Sequence, residues 1–352
     1  MKTGTGEQAV SSELLTYLEQ HVTGFHGPAR LEKFAGGQSN PTYKLTAGSG
    51  VYVLRRQPPG KLLKSAHAVD REFRIQSALQ GSEVPVARVY HLCEDPDIIG
   101  SMFYVMDYCE GRIFWRAHLP EIAGTVERAS IYDEMHRVLA ELHRVDPNTT
   151  GLSDYGKPGD YFARQLSRWS GQYRASELRS IVAMEDLMSW LEANQPGDDG
   201  RVAVVHGDYR LDNLVFHPEK AKIIAVLDWE LSTLGHPFAD IAYQCMQLRM
   251  PCTGNRPSGL EGLDRRELGI PDETEYVASY CRRMNIDGID NWAFYLAFSF
   301  FRLAAIIQGV AKRDVQGNAS NEKAAALGQW VEPLAKKALE VIREGNTNGI
   351  HV

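Results

Sequence analysis

Val204–Phe216 reads VVHGDYRLDNLVF and Ile223–Glu230 reads IIAVLDWE, and the organisation of the chain turns on these two stretches. Both carry short apolar runs of the kind that form brief buried strands, Val202–Val205, Leu214–Phe216 and Ile223–Leu227. Polar residues stand at the ends of those runs. Asp208 precedes Asn213 by five residues, and Asp228 follows Asn213 by fifteen. A loop carboxylate such as Asp208 can orient an attacking hydroxyl and accept its proton. An amide oxygen and a second carboxylate, Asn213 and Asp228, are hard oxygen donors of the type that Mg²⁺ takes. Alone, His206-Gly207-Asp208 or Asp228-Trp229-Glu230 says little, because Asp and Asn gather in turns for local hydrogen-bonding reasons. The joint spacing between apolar flanks is what carries the chemistry.

Upstream, alternating segments at Leu31–Phe34, Thr42–Thr46 and Val51–Arg56 predict a three-strand meander after a helix over Ser12–Val22. A helical stretch at Ala68–Leu79 and two further strands, Val86–Cys93 and Met102–Tyr108, complete a small α+β lobe of five strands. From Thr125 the period becomes helical, with Ile131, Met135, Val138, Leu139 and Leu142 on one face. The expected domains are 1–108 and 109–352, the second mainly helical, with the junction near Cys109–Arg112.

The chain has 352 residues, 43% hydrophobic and 24% charged, enough for two lobes around a cleft. A net charge of −7 gives no general electrostatic reason to bind nucleic acid or an anionic membrane. Five scattered cysteines without a CxxC fit reduced thiols in a cytosol, and the N-terminus MKTGTGEQAVSSELL lacks the apolar core of an export signal. A cytoplasmic location is expected. The most apolar stretch, Trp292–Val310, holds Arg302 near its middle and Gln308 near its end, which favours a buried helix over a membrane span.

With these motifs in hand, the chain resembles the aminoglycoside phosphotransferase family, the choline-kinase-like relatives of protein kinases. The likeness is strongest to the subset found beside or fused to acyl-CoA dehydrogenases, through YVLRRQPPGKLL, DREFRIQSAL, FYVMDYCEGRIF and HGDYRLDNLVF, and spans about Leu31 to Tyr243. The resemblance implies a bilobal protein-kinase-like α+β fold, ATP and Mg²⁺ as cofactors, and phosphorylation of a small-molecule hydroxyl. It makes Asp208 the catalytic carboxylate and Asn213 and Asp228 the metal ligands. His206 resembles the histidine that braces the catalytic loop, and Asp240 the buried acid that holds it. Arg210 is either a transition-state cation or a solvent-facing loop residue.

In the first lobe, Gly36, Gly37, Ser39 and Asn40 resemble the nucleotide-covering loop, although two adjacent glycines between strands are also an ordinary hairpin signal. Arg55 stands where kinases carry a phosphate-binding lysine, with Glu72 as its partner on the next helix, a departure from the general kinase pattern. Met106, Asp107 and Cys109 match the hinge that would bind adenine through main-chain groups, unless Met106 is simply core.

From Pro251 to Val352 there are 13 acidic and 12 basic residues, so no acidic surplus marks a pocket for polycations. Arg55–Arg74 carries six basic and two acidic residues, read either as a solvated loop or as an anchor for coenzyme A phosphates. Three functions follow. They are a kinase for a hydroxyacyl-CoA or related hydroxy-metabolite, with a functional link to an acyl-CoA dehydrogenase; an aminoglycoside or amino-alcohol kinase; and a nucleotide-binding pseudokinase serving as an interaction module.

Overall fold

A computed structural model describes residues 3–34, 40–58, 68–252, 258–315, 327–344 and 349–351. By their contacts these fall into two units. The first comprises Met1–Phe114, Asn148–Leu152 and Leu211–Ser232, and the second Trp115–Pro147, Ser153–Arg210 and Thr233–Val352.

The first unit opens with β1 (Thr3–Ala9), α1 (Ser12–His21), β2 (Ala29–Phe34), β3 (Thr42–Ala47) and β4 (Gly50–Arg56). There follow α2 (Val69–Leu79), β5 (Val89–Cys93) and β6 (Phe103–Asp107). The six strands form one antiparallel sheet in the order β1-β2-β3-β4-β6-β5. Period-two alternation gives the sheet two apolar faces. Leu54 and Val105 pack with Leu14 and Leu18 of α1 on one side, and Val53, Tyr104 and Met106 pack with Val69 of α2 on the other. The side chain of Ser11 caps α1 by accepting from the amide of Leu14 at 3.2 Å. Sequence reading expects five strands and the structure has six. The added β1, TGTGEQA, lacks apolar alternation and lies at the edge, where its pairing with β2 shifts register twice.

A distant hairpin, Leu214–Phe216 paired with Ile223–Val226, belongs to the same unit. Main-chain bonds of 2.8 Å run both ways between Arg112 and Phe216, and Val226 donates to the carbonyl of Pro85 at 2.8 Å. Gly111 is required for this approach, because a Cβ there would lie 2.2 Å from the carbonyl oxygen of Phe216.

The second unit is built from α3 (Thr125–Arg144), α4 (Tyr161–Ser176), α5 (Val182–Ala193), α6 (Phe238–Leu248), α7 (Arg265–Leu268), α8 (Glu273–Met284), α9 (Trp292–Val315) and α10 (Val331–Arg343). Ile131, Met135, Val138, Leu139 and Leu142 of α3 are all buried, as their spacing predicts. By length and composition α9 could cross a bilayer, yet most of it is buried against α4, α5, α6 and α10. It is the core helix of this unit, which is why it is apolar nearly all round. The strands Ala203–Val205 and Thr233–Gly235 pair antiparallel, and the first of them leads directly into the loop His206–Arg210. All five cysteines are free thiols.

Candidate active site

Within the first unit, α2 and the β3–β4 hairpin place a polar network inside an otherwise apolar layer. Glu72, 1% exposed, accepts from Asn40 Nδ2 at 2.7 Å and Arg55 Nη2 at 3.2 Å through Oε1, and from the Tyr104 hydroxyl at 3.2 Å through Oε2. Arg55 Nε lies 2.7 Å from that second oxygen as an ion pair. The same guanidinium donates to Asp228 Oδ1 at 2.9 Å and to the Thr42 hydroxyl at 3.2 Å. Burial alone would pull the Arg55 pKa down, but Glu72 and Asp228 more than offset it and the net shift is upward. The group is a fixed cation at the end of β4.

Asp228 has a left-handed backbone, φ 65°, at the point where the strand gives way to a short 3-10 turn, and its side chain keeps 36% exposure. Asn213 ends another 3-10 turn and is nearly buried. The Leu227 amide donates to the Asn213 carbonyl at 2.8 Å, so the hairpin holds the two residues as neighbours. Among the described residues no group of three or more His, Cys, Asp or Glu is arranged to cage a metal. The side chains of Asn213 and Asp228 are oxygen donors of the kind Mg²⁺ takes, an ion that draws its remaining ligands from water and phosphate.

Of the other nucleotide residues expected from sequence, Gly36, Gly37 and Ser39 lie outside the described residues. Asn40 is fully buried and faces Glu72. Met106 is buried in the apolar layer between the sheet and α2. The Asp107 carboxylate accepts from the Tyr90 hydroxyl at 2.5 Å. Burial and the nearby Asp107 charge push the Cys109 thiol up to about 11, so it stays protonated at neutral pH. The described bases of the stretch Arg55–Arg74 are engaged within the protein. Lys61 and Lys64 are outside the described residues, while Arg56 donates to the Ile99 carbonyl, Arg74 to that of Gly151 and Arg71 to that of Ser232.

Within the second unit the loop His206–Arg210 is fixed from behind. Asp240 on α6 is fully buried and accepts from the His206 amide at 2.7 Å and the Gly207 amide at 2.8 Å. His143 Nε2 stands 3.3 Å from the same carboxylate, while its Nδ1 lies 2.6 Å from the Tyr280 hydroxyl. Burial would raise the Asp240 pKa, but His143 and the loop donors outweigh it and hold the carboxyl below its usual value. His206 Nδ1 accepts from the Asp208 amide at 3.2 Å, and the Tyr209 hydroxyl donates to the Met135 carbonyl at 2.8 Å. Only the working side chains keep exposure. Asp208 Oδ2 lies 3.4 Å from Arg210 Nε, with side chains 18% and 31% exposed. Burial raises the Tyr243 pKa first and the nearby Asp208 charge raises it further, so the hydroxyl keeps its proton at neutral pH.

His143, Tyr280, Tyr104 and Tyr243 escape a reading by motif. For Tyr243 a signal existed, because it follows Asp240 by three residues on one helix and so shares its face. For His143 there was none, since it reaches Asp240 across 97 residues.

The sequence pattern of the phosphotransferase enzyme family matches residues 30–276, further along the chain than the motif likeness ending near Tyr243. Mouse acyl-CoA dehydrogenase family member 10 is 49% identical over 332 residues, which cover 94% of this chain but 31% of that protein. The chain spans less than half the length of the curated relatives it matches. A Ralstonia eutropha structure described as a candidate aminoglycoside phosphotransferase is 46% identical, with a TM-score of 0.86 over 96% of this chain and 99% of that one. Choline kinase from Cryptosporidium parvum is 11% identical with a TM-score of 0.64, over 94% of this chain and 95% of its own. That last likeness is one of fold, and the fold is protein-kinase-like.

Proposed function

The chain belongs to the phosphotransferase enzyme family of small-molecule kinases, and from that premise we propose that it transfers the γ-phosphoryl group of ATP to a hydroxyl oriented by Asp208. The observation that carries this reading is the buried Arg55 cation held between Glu72 and Asp228, the charge pattern a phosphate clamp needs. Arginine in place of the usual lysine keeps a permanent charge and a planar two-pronged donor. The pairing speaks against a pseudokinase that has lost its nucleotide machinery.

In this reading the acceptor oxygen forms a bond to the γ-phosphorus while the bond from that phosphorus to the bridging oxygen breaks and ADP leaves. Asp208 takes the hydroxyl proton, with Arg210 offering positive charge to the developing phosphoryl oxygens. Asn213 and Asp228 would hold Mg²⁺, which supplies charge neutralisation at the phosphates when bound. His206, Asp240 and His143 position the loop without touching substrate. Asn40, with Gly36, Gly37 and Ser39 of its loop, would cover the nucleotide, and Met106, Asp107 and Cys109 would receive adenine.

For the acceptor we favour a hydroxyacyl compound, such as a hydroxyacyl-CoA, over an aminoglycoside. A polycation needs paired carboxylates to offset its desolvation. Several carboxylates of the stretch Pro251–Val352, though not Glu267, are occupied otherwise. Asp264 caps α7, Asp272 and Glu275 form the capping box of α8, and Glu273 takes both prongs of Arg249. The mouse relative's name points to acyl-CoA chemistry, whereas the four described bases of Arg55–Arg74 are engaged within the protein and lend coenzyme A no anchor. Steady-state kinetics of ATP consumption with 4-hydroxyacyl-CoAs, kanamycin, choline and sugars test the choice. The highest kcat/KM is expected for a hydroxyacyl compound, and a kanamycin value above every hydroxyacyl compound tried would overturn it.

A further inference from the structure

Arg302 lies near the middle of α9 and is 6% exposed, and among the described residues of the second unit it is the most buried arginine or lysine and no carboxylate meets it. Its guanidinium carbon sits 5.6 Å from the ring centre of Trp169 and 5.2 Å from that of Tyr243, both 4% exposed. Among the described residues it makes no hydrogen bond and no ion pair, and none of its nitrogens is sealed away from solvent. Two aromatic faces return only part of what burying an ion costs. The deficit is left for something outside the chain to make up.

The surroundings point the same way. Arg168, one residue from Trp169, stacks on that ring at 5.1 Å, and Arg164 stands a turn earlier on α4 with its guanidinium donating to the Lys157 and Pro158 carbonyls. The hydroxyl of Tyr161 feels Arg302, Arg168, Arg164 and Asp240 together. Of the acids on this side, Asp240 is committed to the loop amides and Asp208 faces Arg210. The excess is positive. Tyr243 connects it to the chemistry, since its ring carries Arg302 and it stands one turn from Asp240, whose carboxylate holds the amides of the loop that bears Asp208.

We infer that Arg302 reads the charge of the acceptor: its guanidinium takes an oxyanion, a carboxylate or a phosphate, on the molecule whose hydroxyl Asp208 orients. A planar guanidinium clamped between aromatic faces presents its donors in the fork that matches such groups. The inference rests on the assignment of Asp208 as the hydroxyl-orienting group, and it makes Arg302 a specificity-determining residue. It also excludes aminoglycosides by repulsion rather than by missing partners.

Calorimetry with two hydroxyl-free probes, hexanoate and hexanoyl-CoA, in the presence of ADP separates this inference from the kinase reading, because neither probe can be phosphorylated. Wild-type protein should bind at least one of them, and Arg302→Met should bind that probe tenfold or more weakly, the loss of a charge-assisted contact. Hexanoate binding identifies a free acid and hexanoyl-CoA binding alone a coenzyme A phosphate; neutral hexanamide should show no dependence on residue 302. Thermal unfolding of Arg302→Met should be no lower than wild type, since an unpaired buried charge is removed. Arg302→Lys, which keeps the charge but not the fork, should bind the probe with intermediate affinity and carries the test if the Met variant does not fold. Equal probe affinity across the three proteins, or no binding of either probe to wild type, would overturn the inference. Probe binding that depends on Arg302 in a protein that phosphorylates nothing would sink the kinase reading alone.

Discussion

At the residue scale the decisive pairings are electrostatic. Arg55 and Glu72 could be matched from sequence through the resemblance to kinases, which carry a lysine at the first position and its acidic partner on the next helix. The contact from Arg55 to Asp228 spans 173 residues and no local rule announces it. In the proposed reaction Asp228 then has two tasks, toward Mg²⁺ and toward Arg55. Asp228→Ala should therefore abolish Mg²⁺-dependent nucleotide binding, and calorimetry with ATP and Mg²⁺ would detect it. An unchanged dissociation constant would remove Asp228 from the metal site. Glu72→Gln should cost about 3–5 kcal/mol of stability, because it leaves the Arg55 charge buried with one carboxylate fewer. Urea unfolding measures that loss.

At the scale of the element, the loop His206–Arg210 shows how a helix positions the segment proposed to carry the chemistry. The α6 helix supplies Asp240, α3 supplies His143 and the carbonyl of Met135, and the loop amides close on the carboxylate. The motif made Asp240 visible; His143 and Tyr280 were hidden, since their partners come together only in the folded unit. The Asp240 pKa is depressed in the folded state relative to an unfolded aspartate. Its stabilisation is thus fully present above the ordinary aspartate range and is lost as pH falls through the lower folded value. Asp240→Asn should lower stability at neutral pH and flatten the acid limb of the stability profile, as urea midpoints between about pH 7 and pH 3 would show. Parallel profiles for variant and wild type would contradict this account.

On the scale of the whole molecule, element types were largely legible because amphipathic periods survive in single segments such as α1, α2 and α3. The edge strand β1 was not, for its residues are Gly, Thr and polar side chains without alternation. Nor was the attachment of Leu211–Ser232 to the first unit, which depends on the main-chain bridge between Arg112 and Phe216. Gly111→Ala tests that bridge: its Cβ meets backbone rather than a flexible side chain, so the melting temperature should fall and nucleotide affinity weaken with it. Differential scanning calorimetry with and without ADP reads both effects.

The central claim is phosphoryl transfer to a small-molecule hydroxyl under the control of Asp208, and transfer of label from γ-labelled ATP tests it most directly. Wild type and Asp208→Asn should bind ATP and Mg²⁺ with similar affinity, because the substitution spares Arg55, Asn213 and Asp228. Label should appear on a hydroxyacyl acceptor with wild type, at a rate reduced by roughly 10²–10⁴ in Asp208→Asn. Equal transfer by the two proteins, or a wild type that binds nucleotide and labels no acceptor, would contradict the account.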